Sequence, residues 1–161
     1  MTTYVAVCGA GVAGERDVAW AEEVGRLLAR EGAVVVCGGL GGVMEAVARG
    51  ASAEGGTSIG ILPGSDRTGQ ASGLSYSIPT GMGEARNALV VRTADAVIAI
   101  GGEFGTLSEI ALALKIGVPV IGLGTWELAK TGRPVLAFPA AEDPAEAVRL
   151  ALAAASGGRA P

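Results

Sequence analysis

Residues 84–123, EARNALVVRTADAVIAIGGEFGTLSEIALALKIGVPVIGL, place helix-forming and strand-forming segments in immediate succession. The helical spacing of Glu84–Thr93 leads to the continuous apolar run Ala96–Ile100, and the helical spacing of Thr106–Ile116 leads to the run Val118–Gly122. Apolar runs without alternation are typical of strands that are covered on both faces of a sheet. The stretch therefore predicts two parallel strands joined by a helix, with a glycine-rich turn after the first strand.

The same alternation extends over the rest of the chain, and it predicts an α/β fold with a doubly wound, mostly parallel sheet and helices on both faces. Residues 1–154 are predicted to form a single domain, and residues 155–161 a flexible tail. Residues 63–81, rich in Gly, Ser, Thr and Pro, are predicted to form a long loop. The remaining predicted strands are Tyr4–Val7, Ala33–Cys37, Ser58–Leu62 and the weaker Pro134–Phe138, and the remaining predicted helices run from about Val18 to Leu28, over Val43–Ala53 and over Pro144–Ala154.

Composition and charge restrict the classes of partner. The net charge is −4, and the 12 basic residues are scattered singly, so the sequence shows no basic stripe for a nucleic-acid backbone. We therefore expect no nucleic-acid polymer as a partner. The sequence has neither an apolar run of about 18 residues nor a cleavable leader, so we expect no membrane association and a cytoplasmic location.

The residue types present limit the chemistry. Histidine is absent, which removes the usual zinc ligand, the commonest general base and any Ser-His-Asp triad. Cys8 and Cys37 have no CxxC spacing, so we interpret them as small buried hydrophobic residues and expect no disulfide. We predict neither a metal site nor a resident cofactor.

Three predicted strands end in glycine clusters: CGAGVAG at 8–14, CGGLGG at 37–42 and IGGEFG at 100–105. One such cluster is often only a conformational requirement of the turn. Three at the same edge of a parallel sheet predict a pocket lined by backbone N–H groups that binds an anionic small molecule. The candidate ligand-binding residues there are Gly9, Gly11, Gly38, Gly39, Gly41, Met44, Asn87, Gly101, Gly102, Gly105 and Thr106.

The first cluster also spells the dinucleotide fingerprint G-x-G-x-x-G. A dinucleotide site would need an acidic residue at the end of the second strand to hold the ribose, and a second glycine turn occupies that position. The run Glu15-Arg16-Asp17 also follows directly where the fingerprint helix should already pack. The cluster therefore favours a smaller nucleotide or phosphate pocket over a site for NAD or FAD.

Arg86 and Glu109 are candidate catalytic residues, because both predicted helices that carry them begin at the ligand edge of the sheet. An arginine can hold a phosphate, and a carboxylate can stabilise an oxocarbenium-like transition state. Structural interpretations stay open. Thr106 and Glu109 also fit a capping box, and Arg86 also fits a solvated helix residue or a partner for Glu84 or for a carboxylate across a subunit interface.

The order CGGLGGVMEAVARGA, then EARNALV, then GGEFGTLSE resembles the LOG-like superfamily (lysine decarboxylase-like, SLOG), especially its short branch related to the molybdenum-cofactor carrier protein. The resemblance covers about residues 4–123. It implies a Rossmann-like fold, a nucleotide site at the strand ends, and dimers or higher oligomers. Enzymes of the superfamily are phosphoribohydrolases that release base and ribose 5-phosphate, and by matching motifs Arg86 and Glu109 take their catalytic positions. Gly102, Gly105 and Thr106 fall in the phosphate-binding turn.

Two positions depart from the enzymes' pattern. Glu103 stands where the enzymes carry a glycine, and Asn87 stands where they carry a lysine, so the pocket gains a negative charge and loses a positive one. Two hypotheses follow: a nucleoside 5′-monophosphate phosphoribohydrolase, or a non-catalytic carrier or sensor of a phosphorylated pterin-like or nucleotide ligand. A third is a purely structural or partner-binding domain.

The segment Glu84–Thr93 has apolar residues on more than one side, including Ala85, Ala88 and Leu89. One neighbouring strand can cover only one of those sides. We therefore expect a homodimer or higher homo-oligomer.

Overall fold

The computed structural model describes residues 1–157 of the chain. A 3₁₀ turn, Gly83–Arg86, directly precedes the third helix. The strands in this part of the chain are β1 (Tyr4–Gly9), β2 (Val34–Cys37), β3 (Ser58–Leu62), β4 (Tyr76–Pro79), β5 (Ala96–Ile100), β6 (Val120–Leu123), β7 (Leu128–Lys130), β8 (Arg133–Val135) and β9 (Ala140–Ala141), and the helices are α1 (Glu15–Arg30), α2 (Val43–Ala53), α3 (Asn87–Thr93), α4 (Phe104–Lys115) and α5 (Pro144–Ser156).

Seven strands form one parallel sheet in the order β4-β3-β2-β1-β5-β6-β9. From β1 the chain moves outward on one side through β2 and β3, and it then returns to pair β5 with the other side of β1. The predicted fold class is confirmed: the chain is a single α/β domain with a Rossmann-like, doubly wound sheet. The reversal of strand order between β1 and β5 creates the crevice where such folds bind ligands.

Helices cover both faces of the sheet because its central strands are apolar on both sides. One core cluster joins α1, α2 and α5 to one face, with Leu28, Val47 and Val148 among its buried side chains. The other joins α3 and α4 to the opposite face through Val90 and Ile110. Every residue of β5 is fully buried between the two clusters, which explains its uninterrupted apolar sequence.

Two glycines let α1 and α2 pack with their backbones in close approach. A Cβ atom at Gly25 would lie 2.2 Å from the carbonyl oxygen of Val47, and one at Gly50 would lie 2.0 Å from that of Glu22. Side chains at these positions would therefore push the helices apart. This close packing fixes the position of α2, whose first turn lies at the ligand edge.

Two predicted segments differ from the structure. The long loop predicted at 63–81 contains β4, a short strand that forms the sheet edge beside β3. The weak strand predicted at Pro134–Phe138 is found only over its first two residues, in β8, and residues 136–138 form no strand. β8 pairs with β7 in a separate antiparallel ribbon, and β9 completes the main sheet. These short strands depend on pairing partners distant in sequence, which local periodicity does not contain.

Helix bounds also differ by a few residues. The first predicted helix begins earlier, at Glu15, and the last one continues to Ser156, two residues into the predicted tail. The remainder of that tail, residues 158–161, lies outside the described residues. Asp143 starts α5 because its Oδ1 accepts a hydrogen bond from the Glu146 N–H at 2.8 Å. No helix within residues 1–157 is long and apolar enough to cross a membrane.

Candidate functional site

A cavity of about 700 Å³ opens at the carboxyl ends of β1, β2 and β5, where strand order reverses. Its floor is the end of β1, and its walls come from the turn after β2, the 3₁₀ turn before α3 and the first turns of α4. This is the position at which doubly wound sheets bind ligands.

The structure brings most of the predicted site residues to this cavity. Arg86 and Glu109 both line it, although the sequence separates them by a helix and a strand. The other predicted residues that line it are Gly9, Gly11, Gly38, Met44, Asn87, Gly105 and Thr106. Gly39 and Gly41 lie outside its lining, and Gly101 and Gly102 line a second cavity instead.

Arg86 is buried, with only 8% of its surface exposed, so it is not a solvated helix residue. Its Nη2 donates a hydrogen bond to the Gly38 carbonyl oxygen at 3.2 Å, and its Nη1 donates to Oδ1 of Asn87. Its Nε is buried and has no hydrogen-bond partner among the described residues. A buried guanidinium with an unpaired donor is costly unless a ligand completes its hydrogen bonds.

Gly38 is needed for this position of Arg86. A Cβ atom at residue 38 would lie 2.6 Å from Nη2 of Arg86 and 2.7 Å from Sδ of Met44. The glycine turn after β2 therefore serves side-chain packing as well as backbone conformation.

Glu109 is the buried carboxyl group of the cavity. Burial raises its pKa to about 7, against the opposing effects of a hydrogen bond from Cys8 and the charge of Arg86. The Cys8 thiol, buried at the end of β1, has a pKa well above its ordinary value because of burial and the neighbouring Glu109. The thiol is therefore protonated at neutral pH and donates to the carboxyl group. The ion pairs of the described residues do not include Arg86 with Glu109.

The interpretation of Thr106 and Glu109 as a capping box at the start of α4 is wrong. The helix begins at Phe104, and its N-cap is Glu103, whose side chain makes no capping hydrogen bond. Thr106 lies inside the first turn, where it is buried against Gly102. Glu109 is consequently in the second turn, and the side chain is directed to the cavity lining rather than to the helix end.

Acidic side chains outnumber basic ones in the lining of the cavity. Arg86 is the one cationic side chain among the described lining residues, whereas Glu84, Glu103 and Glu109 supply three carboxyl groups. Backbone N–H groups at the start of α4 add positive potential. The cavity therefore suits a ligand with a single small anionic group at Arg86 and hydrogen-bond donors elsewhere.

A second cavity, of about 470 Å³, lies on the other side of the turn after β5. Its lining consists of Asp17, Gly101, Gly102, Glu103, Gly124, Thr125 and Trp126. Gly101 has φ 51° and Gly102 has φ 97°, so this turn requires two glycines for its backbone conformation. These glycines shape the turn that separates the two cavities.

Comparison with known sequences settles the family. A family model described as the SLOG cluster4 family matches residues 2–148. The chain belongs to the SLOG cluster4 family. The resemblance to the LOG-like superfamily is thereby confirmed. A curated relative of this SLOG chain, an uncharacterized protein of Archaeoglobus fulgidus, is 46% identical over 120 residues, which are 74% of this chain and 78% of that protein.

Solved structures similar to this SLOG chain include molybdenum-cofactor proteins. The molybdenum cofactor binding protein of Rippkaea orientalis is 34% identical with a TM-score of 0.86, covering 95% of this chain and 97% of that one. The molybdenum cofactor carrier protein of Chlamydomonas reinhardtii is 31% identical with a TM-score of 0.84, covering 97% and 99% of the two chains. Both match the short branch that the motifs indicated.

One further likeness corrects an expectation. DNA processing protein A of Helicobacter pylori, described by its single-stranded DNA binding mode, has a TM-score of 0.71 to this SLOG chain at 22% identity, covering 94% of this chain and 80% of that one. The exclusion of nucleic-acid polymers as partners was therefore wrong. Scattered basic residues do not exclude nucleic-acid binding, because a protein of the same fold is described by its binding of single-stranded DNA.

Several cavity residues were missed as site residues by sequence reasoning, and Cys8, Glu103 and Phe104 are the most informative of them. Cys8 was interpreted only as a buried hydrophobic residue, yet its thiol contacts Glu109. Glu103 was noted only as a departure from a pattern, and Phe104 was not singled out, although both line the cavity. The available signal was their position: each directly adjoins a glycine of a strand-end cluster.

Proposed function

We propose that this protein is a carrier or sensor that binds a small phosphorylated metabolite with a planar heterocycle, of the pterin or nucleotide type, and leaves it chemically unchanged. The observation that carries the proposal is Arg86, a buried guanidinium with an unpartnered Nε in a glycine-lined cavity at the strand-order reversal. A phosphate supplies the acceptor oxygens that Arg86 lacks.

Two features favour a carrier over an enzyme. Asn87 replaces the lysine of the enzymes' pattern, and the Asn87 amide accepts a hydrogen bond from Arg86. Glu103 places a carboxylate at the N-terminus of α4, where the enzymes' glycine would leave the backbone open to a phosphate. The likeness to two molybdenum-cofactor proteins over nearly the whole chain supports the same assignment.

A phosphoribohydrolase remains the second candidate, and Glu109 is the observation that favours it. Its carboxyl group lies in the same cavity as Arg86, and a pKa of about 7 would let it exchange a proton near neutral pH. In that case Glu109 would stabilise the ribosyl cation while Arg86 holds the phosphate.

Incubation with ligand followed by chromatography separates the two candidates. Purified protein is mixed with adenosine 5′-monophosphate or guanosine 5′-monophosphate, each of which has an N-glycosidic bond to cleave, and the bound and free fractions are analysed for intact nucleotide and free base. The carrier proposal expects the ligand to be recovered intact at the same amount with wild type and Glu109→Gln. Free base that depends on Glu109 would establish the hydrolase instead.

The homo-oligomer also remains a proposal. Exposed apolar side chains occur on β4 and around α3, and Ile78 of β4 pairs in register with Ile61, which belongs to the core cluster on the α3 face. The exposed members of this patch are Tyr76, Ile78, Met82 and Leu89. A second copy of the chain would cover it, as the symmetry of most soluble oligomers favours.

A further inference from the structure

Two adjacent side chains at the rim of the cavity have no part in holding the phosphate. Glu103 is the N-cap of α4 and Phe104 is its first residue. Both line the cavity, and Glu103, at the turn that separates the two cavities, also lines the second one. The Phe104 side chain is 75% exposed. The Glu103 carboxylate has neither an ion pair nor a side-chain hydrogen bond among the described residues. An exposed aromatic ring and a carboxylate without a hydrogen-bond partner among the described residues thus lie side by side at the cavity.

The exposed ring of Phe104 packs against a second aromatic ring. It lies 5.5 Å from the ring of Trp126, measured between centroids, with the two planes tilted by 40°. Trp126 is itself tied to the same turn, because its Nε1 donates to the Glu103 carbonyl oxygen at 3.3 Å. An aromatic ring held at a cavity rim offers a face on which a planar heterocycle can stack.

Val12 provides apolar surface from the other strand end. It lies within the glycine cluster after β1, lines the same cavity and is 95% exposed. Phe104 and Val12 together give the cavity an apolar mouth, whereas Arg86 and Glu109 are buried in its interior. This polarity orients a ligand with its anionic group inward at Arg86 and its ring outward.

The Glu103 carboxylate determines which edge of the ring fits. A carboxylate only accepts hydrogen bonds, and it accepts two in parallel from adjacent donors. The 2-amino-4-oxopyrimidine ring of guanine and of pterins presents such a pair, a ring N–H beside an amino group. Adenine presents one amino group beside a ring nitrogen lone pair, which a carboxylate repels.

We infer that Glu103 and Phe104 form a heterocycle subsite that selects 2-amino-4-oxopyrimidine rings over adenine, with Phe104 stacking on the ring and Glu103 pairing with its donor edge. The inference rests on the proposed function, because it presumes that Arg86 holds the ligand's phosphate. It adds the ligand's ring class and the two residues that recognise it.

Isothermal titration calorimetry with four probes tests the subsite: ribose 5-phosphate, adenosine 5′-monophosphate, guanosine 5′-monophosphate and neopterin monophosphate. Wild type is expected to bind the guanine and pterin compounds about tenfold or more tighter than the adenine nucleotide. Glu103→Gln is expected to reverse this preference, since an amide both donates and accepts as the adenine edge requires. Glu15→Gln, at an exposed glutamate outside the cavity, is the matched control and should leave the preference unchanged.

Phe104 is tested separately with Phe104→Leu and Phe104→Tyr. Loss of the ring in Phe104→Leu should weaken all three heterocyclic probes about tenfold while leaving ribose 5-phosphate unchanged, and Phe104→Tyr should retain wild-type affinity. Tighter binding of the pterin than of the guanine nucleotide, or the reverse, identifies the source of the ring, and both results support the subsite.

Three outcomes overturn the inference. The first is equal wild-type affinity for adenine and guanine nucleotides, and the second is an unchanged preference in Glu103→Gln. The third is ribose 5-phosphate binding as tightly as the nucleotides, which leaves the anion site of the proposed function intact. Absence of binding by all four probes refutes the proposed function and this inference with it.

Discussion

The Nη2 atom of Arg86 donates a hydrogen bond to the carbonyl oxygen of Gly38 at 3.2 Å, joining the turn before α3 to the turn after β2. The two residues are 48 positions apart, and the contact crosses the ligand edge of the sheet. It holds the guanidinium in the cavity without neutralising its charge, because the partner is a backbone carbonyl. The charge therefore stays available to an anionic ligand.

Gly38→Ala should weaken ligand binding with little loss of stability. The added Cβ would meet only the ends of two flexible side chains, Arg86 and Met44, which can move. We expect the free energy of unfolding to fall by less than about 1 kcal/mol, and the affinity for ribose 5-phosphate to fall about tenfold. Urea unfolding and calorimetry measure the two quantities. Unchanged affinity would separate Gly38 from the position of Arg86.

Gly50→Ala, unlike Gly38→Ala, should markedly lower the stability of the fold. Its Cβ would lie 2.0 Å from the Glu22 carbonyl oxygen on α1, and backbone atoms of packed helices cannot move aside locally. We expect a loss of about 1–3 kcal/mol in urea unfolding. Gly64→Ala is the matched control, since a Cβ there would meet nothing closer than 3.8 Å. Equal stability of the two variants would contradict the close packing of α1 on α2.

Glu109 should make stability depend on pH. Its pKa is raised from 4.5 to about 7, so the folded protein holds this proton more tightly than the unfolded chain does. The contribution of this group to the free energy of unfolding therefore decreases as pH rises from about 4.5 to about 7, and it is constant above that range.

The Glu109→Gln variant isolates this effect. Subtracting its stability from that of wild type, in urea titrations from about pH 5 to about pH 8, should give a difference that falls with rising pH. Glu15→Gln is the control, and its difference from wild type should not follow the same course. A flat difference for Glu109→Gln would mean that this carboxyl group titrates at its ordinary pKa.

The patch on β4 and α3 predicts the assembly state. Light scattering during size exclusion should give at least twice the 15.8 kDa mass of one chain. Ala88→Arg, a half-buried position on α3, should dissociate the oligomer by placing an unpaired charge in the contact, and ligand affinity should fall with it. Ala153→Arg, at an exposed position of α5, should change neither. A wild-type monomer would refute the prediction.

The buried strands could be predicted because their sequences are sufficient to define them. The bounds of β3 and β5 match the apolar runs Ser58–Leu62 and Ala96–Ile100, since strands covered on both faces need no further signal. In β4, by contrast, Tyr76 and Ile78 are exposed, so the strand is defined only by its pairing with β3. That contact is not a local property of the sequence.

The candidate site shows the same division. The predicted starts of the two helices placed Arg86 and Glu109 at the glycine-rich edge of the sheet, and both line one cavity there. The contact of Arg86 with the Gly38 carbonyl oxygen and that of Cys8 with Glu109 could not be predicted, because each joins elements distant in sequence. The exposure of Phe104 could not be predicted either. It depends on α4 beginning at Phe104, two residues before the predicted start of the helix at Thr106.

Calorimetric titration of wild type and Arg86→Gln with guanosine 5′-monophosphate tests most directly whether Arg86 binds a phosphorylated ligand, and Arg149→Gln on the exposed side of α5 is the control. We expect saturable binding to one site per chain in wild type and in the control, and at least about a tenfold loss of affinity in a folded Arg86→Gln. Gly38→Ala provides the same readout should Arg86→Gln fail to fold. Equal affinity of the cavity variant and wild type, or no binding by wild type, would contradict the assignment of this cavity to a phosphorylated ligand.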